Sequence, residues 1–322
     1  PDDSFTVMAA GYNARGLQSL TVDMGAGNRI VSDFDGRIPL TVIGDNGTTH
    51  QIVVTNTEDA GPGSLRYAIE AANALAGSDD AEIQFRIPEN DPGFTDVDSH
   101  GPGGDVEPDA FVISPLSGLP ALTRGEIVIN GQSQHNATRD SNPFGPEIII
   151  DGTYAVGDGL RLLSDGNTIR GLGIQNFFGT GIFVTGNQNT ISNSYIGVDA
   201  TGSTSKSNGG IGVHVIDGSN NVIRESVISG NDINGVVIAG ALATHNQIRD
   251  NKIGTSATGE RSIGNTFGVH LYQAPDNVVQ GNVISGNDVG IVVGLPTATG
   301  NRILDNEIKN RSDGISVNNA SY

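Results

Sequence analysis

Two histidines recur in near-identical phrases, Gly-Val-His-Val at 212–215 and Gly-Val-His-Leu at 268–271, and Tyr272 follows the second by two residues. An imidazole at either place can take or give a proton near neutral pH. Both phrases belong to a series, Gly-apolar-x-apolar, that starts at Gly159, Gly181, Gly212, Gly235, Gly268, Gly290 and Gly314. Side chains alternate along a strand, so if the residues one and three places after each glycine point inward, those two and four places after it point outward. The first outward column reads Arg161, Phe183, His214, Val237, His270, Val292, Ser316; the second reads Leu163, Thr185, Ile216, Ala239, Tyr272, Gly294, Asn318. This face is apolar for one that meets water.

Three uses of such a face compete. In one, Phe183 and Tyr272 stack on sugar rings while His214, His270 and Arg161 hydrogen-bond to them, which makes the face a polysaccharide groove. In the second, His214, His270, Tyr272 and Arg161 supply the base and charge-stabilising groups for lysis or epimerisation of a uronate polymer. The third is structural: inserted segments or a neighbouring subunit bury the face. For the second use, two coils separate the histidines, ~10 Å at the interstrand spacing, too far to share one proton transfer. Hydrolysis needs paired carboxyl groups ~5–10 Å apart, and neither column holds an Asp or Glu. Asp158, Asp232, Asp288 and Asp313 fall at the preceding turns, where aspartate commonly serves turn geometry. No catalytic residue is assigned among these side chains.

The elements that carry these columns repeat. "SVISGND" at 226–232 returns as "NVISGND" at 282–288, and a second phrase, Asn-x-apolar, recurs at Asn167, Asn189, Asn221, Asn246, Asn277 and Asn301. Short units of 22 to 24 residues with β-branched segments match one turn of a parallel β-solenoid. Stacked coils place Val and Ile in core columns and align the Asn amides for hydrogen bonds between coils. Two units are longer, by insertions at 196–210 and 253–267, each preceding a histidine-bearing strand and so placed to wall a groove. Arg170, Arg224 and Arg249 share one place in the repeat, and Glu225 and Asp250 follow two of them, which reads as an exposed ion-pair row.

Residues 1–50 form an irregular, β-rich leading segment, and residues 51–322 form the solenoid. Ser64 can cap a helix over 64–76 whose apolar face, Leu65, Ile69 and Ala72, covers the open first coil. Residues 89–110 read as an acidic Gly/Pro-rich loop. Its Asp96, Asp98 and Asp105 offer oxygen ligands of the kind Ca²⁺ takes, without reproducing a calcium-binding loop; calcium is the one cofactor they suggest. The last phrase, "GISVNNASY", stops part-way through a coil, which is read as a place for further coils or a partner.

The 322 residues carry 17 Lys and Arg against 36 Asp and Glu, a net charge of −19, which argues against nucleic acid as a partner. The 46 glycines demand many turns, and the absence of Cys excludes disulfides and thiolate chemistry. No apolar run is long enough to span a bilayer. The chain starts at Pro1 with no signal peptide, which suggests an excised piece of a longer secreted protein.

"VTNTEDAGPGSLRYAIEAANA", then "ISPLSGLPALTRGEIVINGQSQ", then the "NVISGN" and "IGTSATG" phrases resemble bacterial secreted right-handed parallel β-helix repeat proteins of the pectate-lyase-like solenoid superfamily. The resemblance covers residues 52–322. It implies an all-β, right-handed parallel β-helix, secretion or display at the cell surface, and a place in a larger protein or assembly. It brings no uniform catalytic set, because members range from adhesins to carbohydrate-active enzymes. The expected function is an extracellular module for adhesion, surface structure or glycan binding; the alternative is a polysaccharide lyase or epimerase acting on an acidic glycan along the outer strand face. Expected partners are a polysaccharide or neighbouring subunits.

Overall fold

The computed structural model describes residues 20–23, 40–43, 49–75, 80–96, 109–135, 142–143 and 145–318. The chain winds as successive coils, and from Leu160 onward each full coil contributes one short strand to each of three sheets. Thr168–Arg170, Leu172–Gln175 and Ile182–Val184 are one such set, and Thr190–Ser192 starts the next. The first sheet runs from His50–Val54 to Arg302–Leu304 and the second from Phe94–Asp96 to Glu307–Lys309. The third runs from Leu160–Leu162 to Ile315–Asn318. Pairing is parallel throughout, except where Phe94–Asp96 runs antiparallel to Asp109–Ile113.

β-Branched residues occupy the inward places because they fit a pleated, half-buried surface. Ile169, Ile191, Ile223, Ile248 and Val279 pair in register along the first sheet and are buried. Ile196, Ile228, Ile253 and Ile284 do the same in the second sheet. Together with the inward residues of the third sheet they form one continuous core.

The corners are held by asparagine. In the first ladder, Asn167 Nδ2 donates to Oδ1 of Asn189 (2.9 Å), Asn189 to Asn221 (3.1 Å), Asn221 to Asn246 (3.0 Å) and Asn246 to Asn277 (3.0 Å). Each acceptor also takes the backbone N–H of the preceding ladder residue, as when Asn246 N–H reaches Asn277 Oδ1 at 2.8 Å. Two more ladders stand at the other corners. One links Ser226, Asn251, Asn282 and Asn306, and the other links Asn208, Asn231, Asn265, Asn287 and Asn310. The residue before a ladder amide commonly sits in the left-handed region, as do Gln188, Asn220, His245 and Asp276. Glycine takes that conformation most readily and does so at Gly300.

The helix Leu65–Ala74 is capped by Ser64, whose side chain accepts the N–H of Tyr67. It buries Leu65, Ala68, Ile69 and Ala72 in the core. Asn73 Nδ2 donates to the carbonyl of Ala121 (2.7 Å), and its Oδ1 accepts from Thr123 N–H (3.0 Å). The segment between them bridges the third sheet through Leu122 and Leu162. That segment covers the N-terminal edge of the third sheet, and the helix, packed on His50–Val54 and Ala81–Phe85, satisfies the segment's outer backbone groups, which would otherwise invite pairing. Within the stretch read as an acidic loop, Phe94–Asp96 is a strand: Phe94 packs on Phe111, ring centroids 4.8 Å apart. In the leading segment, Leu20–Asp23 pairs in parallel with Leu40–Ile43.

Replacing Asn246 by alanine removes the oxygen that accepts both the backbone N–H and the side-chain amide of Asn221, while Asn277 Oδ1 keeps the backbone N–H of residue 246. At about 1–3 kcal/mol for each buried group left unsatisfied, the expected loss is about 2–5 kcal/mol. Urea unfolding measures it, and alanine at the exposed neighbour Gln247 is expected to change stability by less than about 0.5 kcal/mol.

Candidate functional site on the third sheet

Register in the third sheet places Arg161, Phe183, His214, Val237, His270, Val292 and Ser316 in one file. Beside it run Ile216, Ala239, Tyr272, Gly294 and Asn318. The apolar residues that alternate with them, such as Leu160, Leu162, Val213, Val215, Val269 and Leu271, are buried in the core, so these side chains face out. Val237 and Val292 are buried by their taller neighbours, whereas Tyr272 is 42% exposed and Arg161 is exposed.

The rings interlock edge to face, the geometry that aromatic quadrupoles favour. Phe183 meets His214 with ring centroids 5.8 Å apart at 81°. His270 stands between Phe267 (5.6 Å, 88°) and Tyr272 (5.6 Å, 73°). Phe267 was not among the sequence candidates, because it precedes its glycine and lies outside the alternating columns; its aromatic character beside a histidine phrase is the signal that was there to find.

Burial holds both histidines below the ordinary imidazole value of 6.5. At His214 the Asp158 carboxylate opposes that shift in part. Both rings are therefore neutral at pH 7, each with one donor and one acceptor nitrogen. Asp158 is itself engaged by the backbone N–H of Thr180 (2.8 Å).

The insertions do not wall this face. Each forms a small hairpin, closed by Val198 opposite Ser205 and by Thr255 opposite Ser262. Val198 packs with Val227 and Ile263, and Ala200 packs with Ala110 and Ile149, so the hairpins fold back over the second sheet. Ala257 N–H donates to the Gly202 carbonyl and ties the first hairpin to the second (2.8 Å). The physical reason is apolar: residues such as Ile149 and Val227 on the outer side of the second sheet take the hairpin side chains. The third sheet is left open.

Other candidates do not converge with this face. Asp232 and Asp288 line a corner groove of about 520 Å³ between the hairpins and the third sheet; Asp232 is bonded by Ser207, and Asp288 meets Arg311 at 3.4 Å. Arg224 and Arg249 stack on the first sheet beside Glu225 and Asp250, and Arg170 meets Glu82 at 3.2 Å. Of the calcium candidates, Asp98 and Asp105 lie outside the described residues, and Asp96 ends a strand. Among the described residues no three His, Cys, Asp or Glu side chains group as metal ligands, and no helix is long and apolar enough to cross a membrane.

Comparison with known proteins bears on the fold. Residues 197–321 match the family described as "right handed beta helix region". Among solved structures, the pectate lyase Pel9A aligns at 13% identity and a TM-score of 0.36, over 85% of this chain and 79% of its own. The A-module of the Azotobacter vinelandii mannuronan C-5 epimerase AlgE4 aligns at 12% identity and a TM-score of 0.33, over 80% of this chain and 91% of its own. No curated protein matches. With the three-sheet coil, the family match makes this chain a right-handed parallel β-helix.

The pKa directions fix the sign of a pH effect. The unfolded chain takes up protons on His214 and His270 at a higher pH than the folded one does, so stability is full above about 6.5 and is lost as pH falls below it. Urea unfolding at pH 8 and pH 5 is expected to show a smaller drop for His214→Gln/His270→Gln than for the parent. An equal drop places the titrating groups elsewhere.

Proposed function

We propose that the chain is a glycan-binding module of an extracellular or cell-surface protein, serving adhesion or surface structure, and that the glycan lies on the outward face of the third sheet. The observation that carries this reading is the open file of Phe183, His214, Val237, His270 and Val292, with Tyr272 exposed at its side. Carbohydrate sites combine flat apolar surface with a few polar groups that fix orientation. Here the ring edges of Phe183 and the histidines and the exposed Tyr272 offer the apolar surface to the C–H faces of sugars. The neutral imidazoles, the Tyr272 hydroxyl and Arg161 offer hydrogen bonds to hydroxyl groups.

The catalytic alternative is less well supported by this arrangement. Elimination or epimerisation at a uronate needs a base and a carboxylate-stabilising group on the same sugar. The strand bearing Val237 separates His214 from His270, and Arg161 lies two strands from His214. The net charge of −19 also opposes a polyanionic ligand.

Affinity electrophoresis through gels containing single polysaccharides tests the reading. Retardation on at least one polymer is expected, weakened about tenfold or more by Phe183→Ala or Tyr272→Ala. Absorbance near 235 nm, followed in parallel on alginate and pectate with and without Ca²⁺, is expected to stay flat. A rise abolished by replacing His214 or Tyr272 would shift the assignment to a lyase.

A further inference from the structure

From the strand Val213–Ile216 to the strand Val289–Gly294 the open face is corrugated with a period of two coils; Arg161 and Phe183 precede this stretch and do not follow it. Along the first file the residues alternate between a polar ring and a short apolar side chain: His214, Val237, His270, Val292. The second file alternates in phase between large and small: Ile216, Ala239, Tyr272, Gly294. Ridges therefore stand on the strands Val213–Ile216 and Phe267–Tyr272, and troughs on Asn234–Ala239 and Val289–Gly294. Both ridge strands follow a hairpin insertion and both trough strands follow a short connection, so the corrugation is the surface expression of the duplicated two-coil unit. At the interstrand spacing of about 4.8 Å, ridge-to-ridge distance is about 10 Å.

The trough at Gly294 is polar at one wall. A Cβ placed on Gly294 would stand 3.4 Å from His270 Nε2, so that nitrogen borders the space the glycine leaves. A group lying over the trough would meet a neutral imidazole nitrogen on one side, with the buried Val292 beneath.

We infer that these four strands are matched to a neutral, extended glycan of the 1,4-diequatorial type, lying along the helix axis with every second sugar placed over a trough, against Ala239 or Gly294. This rests on the glycan-binding reading above and specifies its ligand. In such a ribbon successive sugars are turned over, so the same face returns every second residue after a rise close to two coil spacings. Helical glycans, built through 1,3 or axial 1,4 links, bring no like face back at that interval along a straight line. The absence of carboxylates from both files makes no demand for a cation, and the neutral histidines suit hydroxyl groups over carboxylates.

Filling a trough separates this from any looser mode of sugar binding. Ala239→Leu adds bulk at an outward position with no core contact, and Gly294→Val does so at a glycine outside the left-handed region. Isothermal titration with β-1,4-linked gluco- and mannohexaose, β-1,3-linked glucohexaose, α-1,4-linked glucohexaose and a β-1,4-linked mannuronate hexamer reads the outcome. The expected result is at least about tenfold tighter binding of a neutral β-1,4 hexamer than of the others, with that preference lost in either variant at unchanged melting temperature. Equal binding of all linkages, tighter binding of the mannuronate, or full affinity in a correctly folded Gly294→Val variant would overturn the ribbon match and leave the glycan-binding reading standing. Absence of binding to every hexamer, with none of the polymer gels retarding the protein, would overturn both.

Discussion

Every feature of this molecule depends on buried asparagine amides that bond from one coil to the next. A β-solenoid gains its core from stacking, yet the stack turns a corner three times per coil, and backbone polar groups at each corner must be satisfied out of water's reach. The amide supplies what is needed: one oxygen accepts both the backbone and the side-chain donors of the coil before it, while the nitrogen reaches the coil after. Since an unsatisfied buried group costs more than a made hydrogen bond contributes, the ladders exclude other registers more strongly than they add stability. Thus a slip by one residue would put an apolar side chain under a ladder amide and a polar one in the core.

Fixed register is what makes a surface pattern possible. The strand between two corners is short, and its outward residues stack on their counterparts without drift, so a two-coil duplication in the sequence becomes a two-coil corrugation in space. Length variation is pushed to the corner where the second sheet meets the third. There the hairpins find apolar partners on the second sheet and leave the third exposed. Burial then keeps His214 and His270 neutral, and an acidic chain presents an almost uncharged face.

Much of the fold was legible in the sequence. The alternation after each glycine fixed which residues share the outward file, and the Asn167 to Asn301 series announced one ladder. The helix was readable from Ser64 and the spacing of Leu65, Ile69 and Ala72, because capping and amphipathicity are local signals. The other two ladders were harder to see. At the second corner serine alternates with asparagine, as in Ser226 and Asn251, and at the third the spacing is broken by the insertions. The direction in which the hairpins lean could not be read, since it is decided by Ile149 and Val227 on a different sheet and far away in sequence. Phe267 was missed for the opposite reason: its partner His270 is three residues away, but the pairing breaks the alternation that defined the columns.

Amide hydrogen exchange under native conditions, resolved by residue, tests the central claim most directly. The backbone N–H groups of Asn189, Asn221, Asn246 and Asn277 are bonded to side chains rather than to strands, and ordinarily such groups exchange by local opening. If the ladders hold the coils in register, these amides will exchange as slowly as those of Ile191, Ile223 and Ile248, through unfolding of the stack. Exchange of the ladder amides well ahead of those strand amides would show that the corners open independently, and that the core alone keeps the coils aligned.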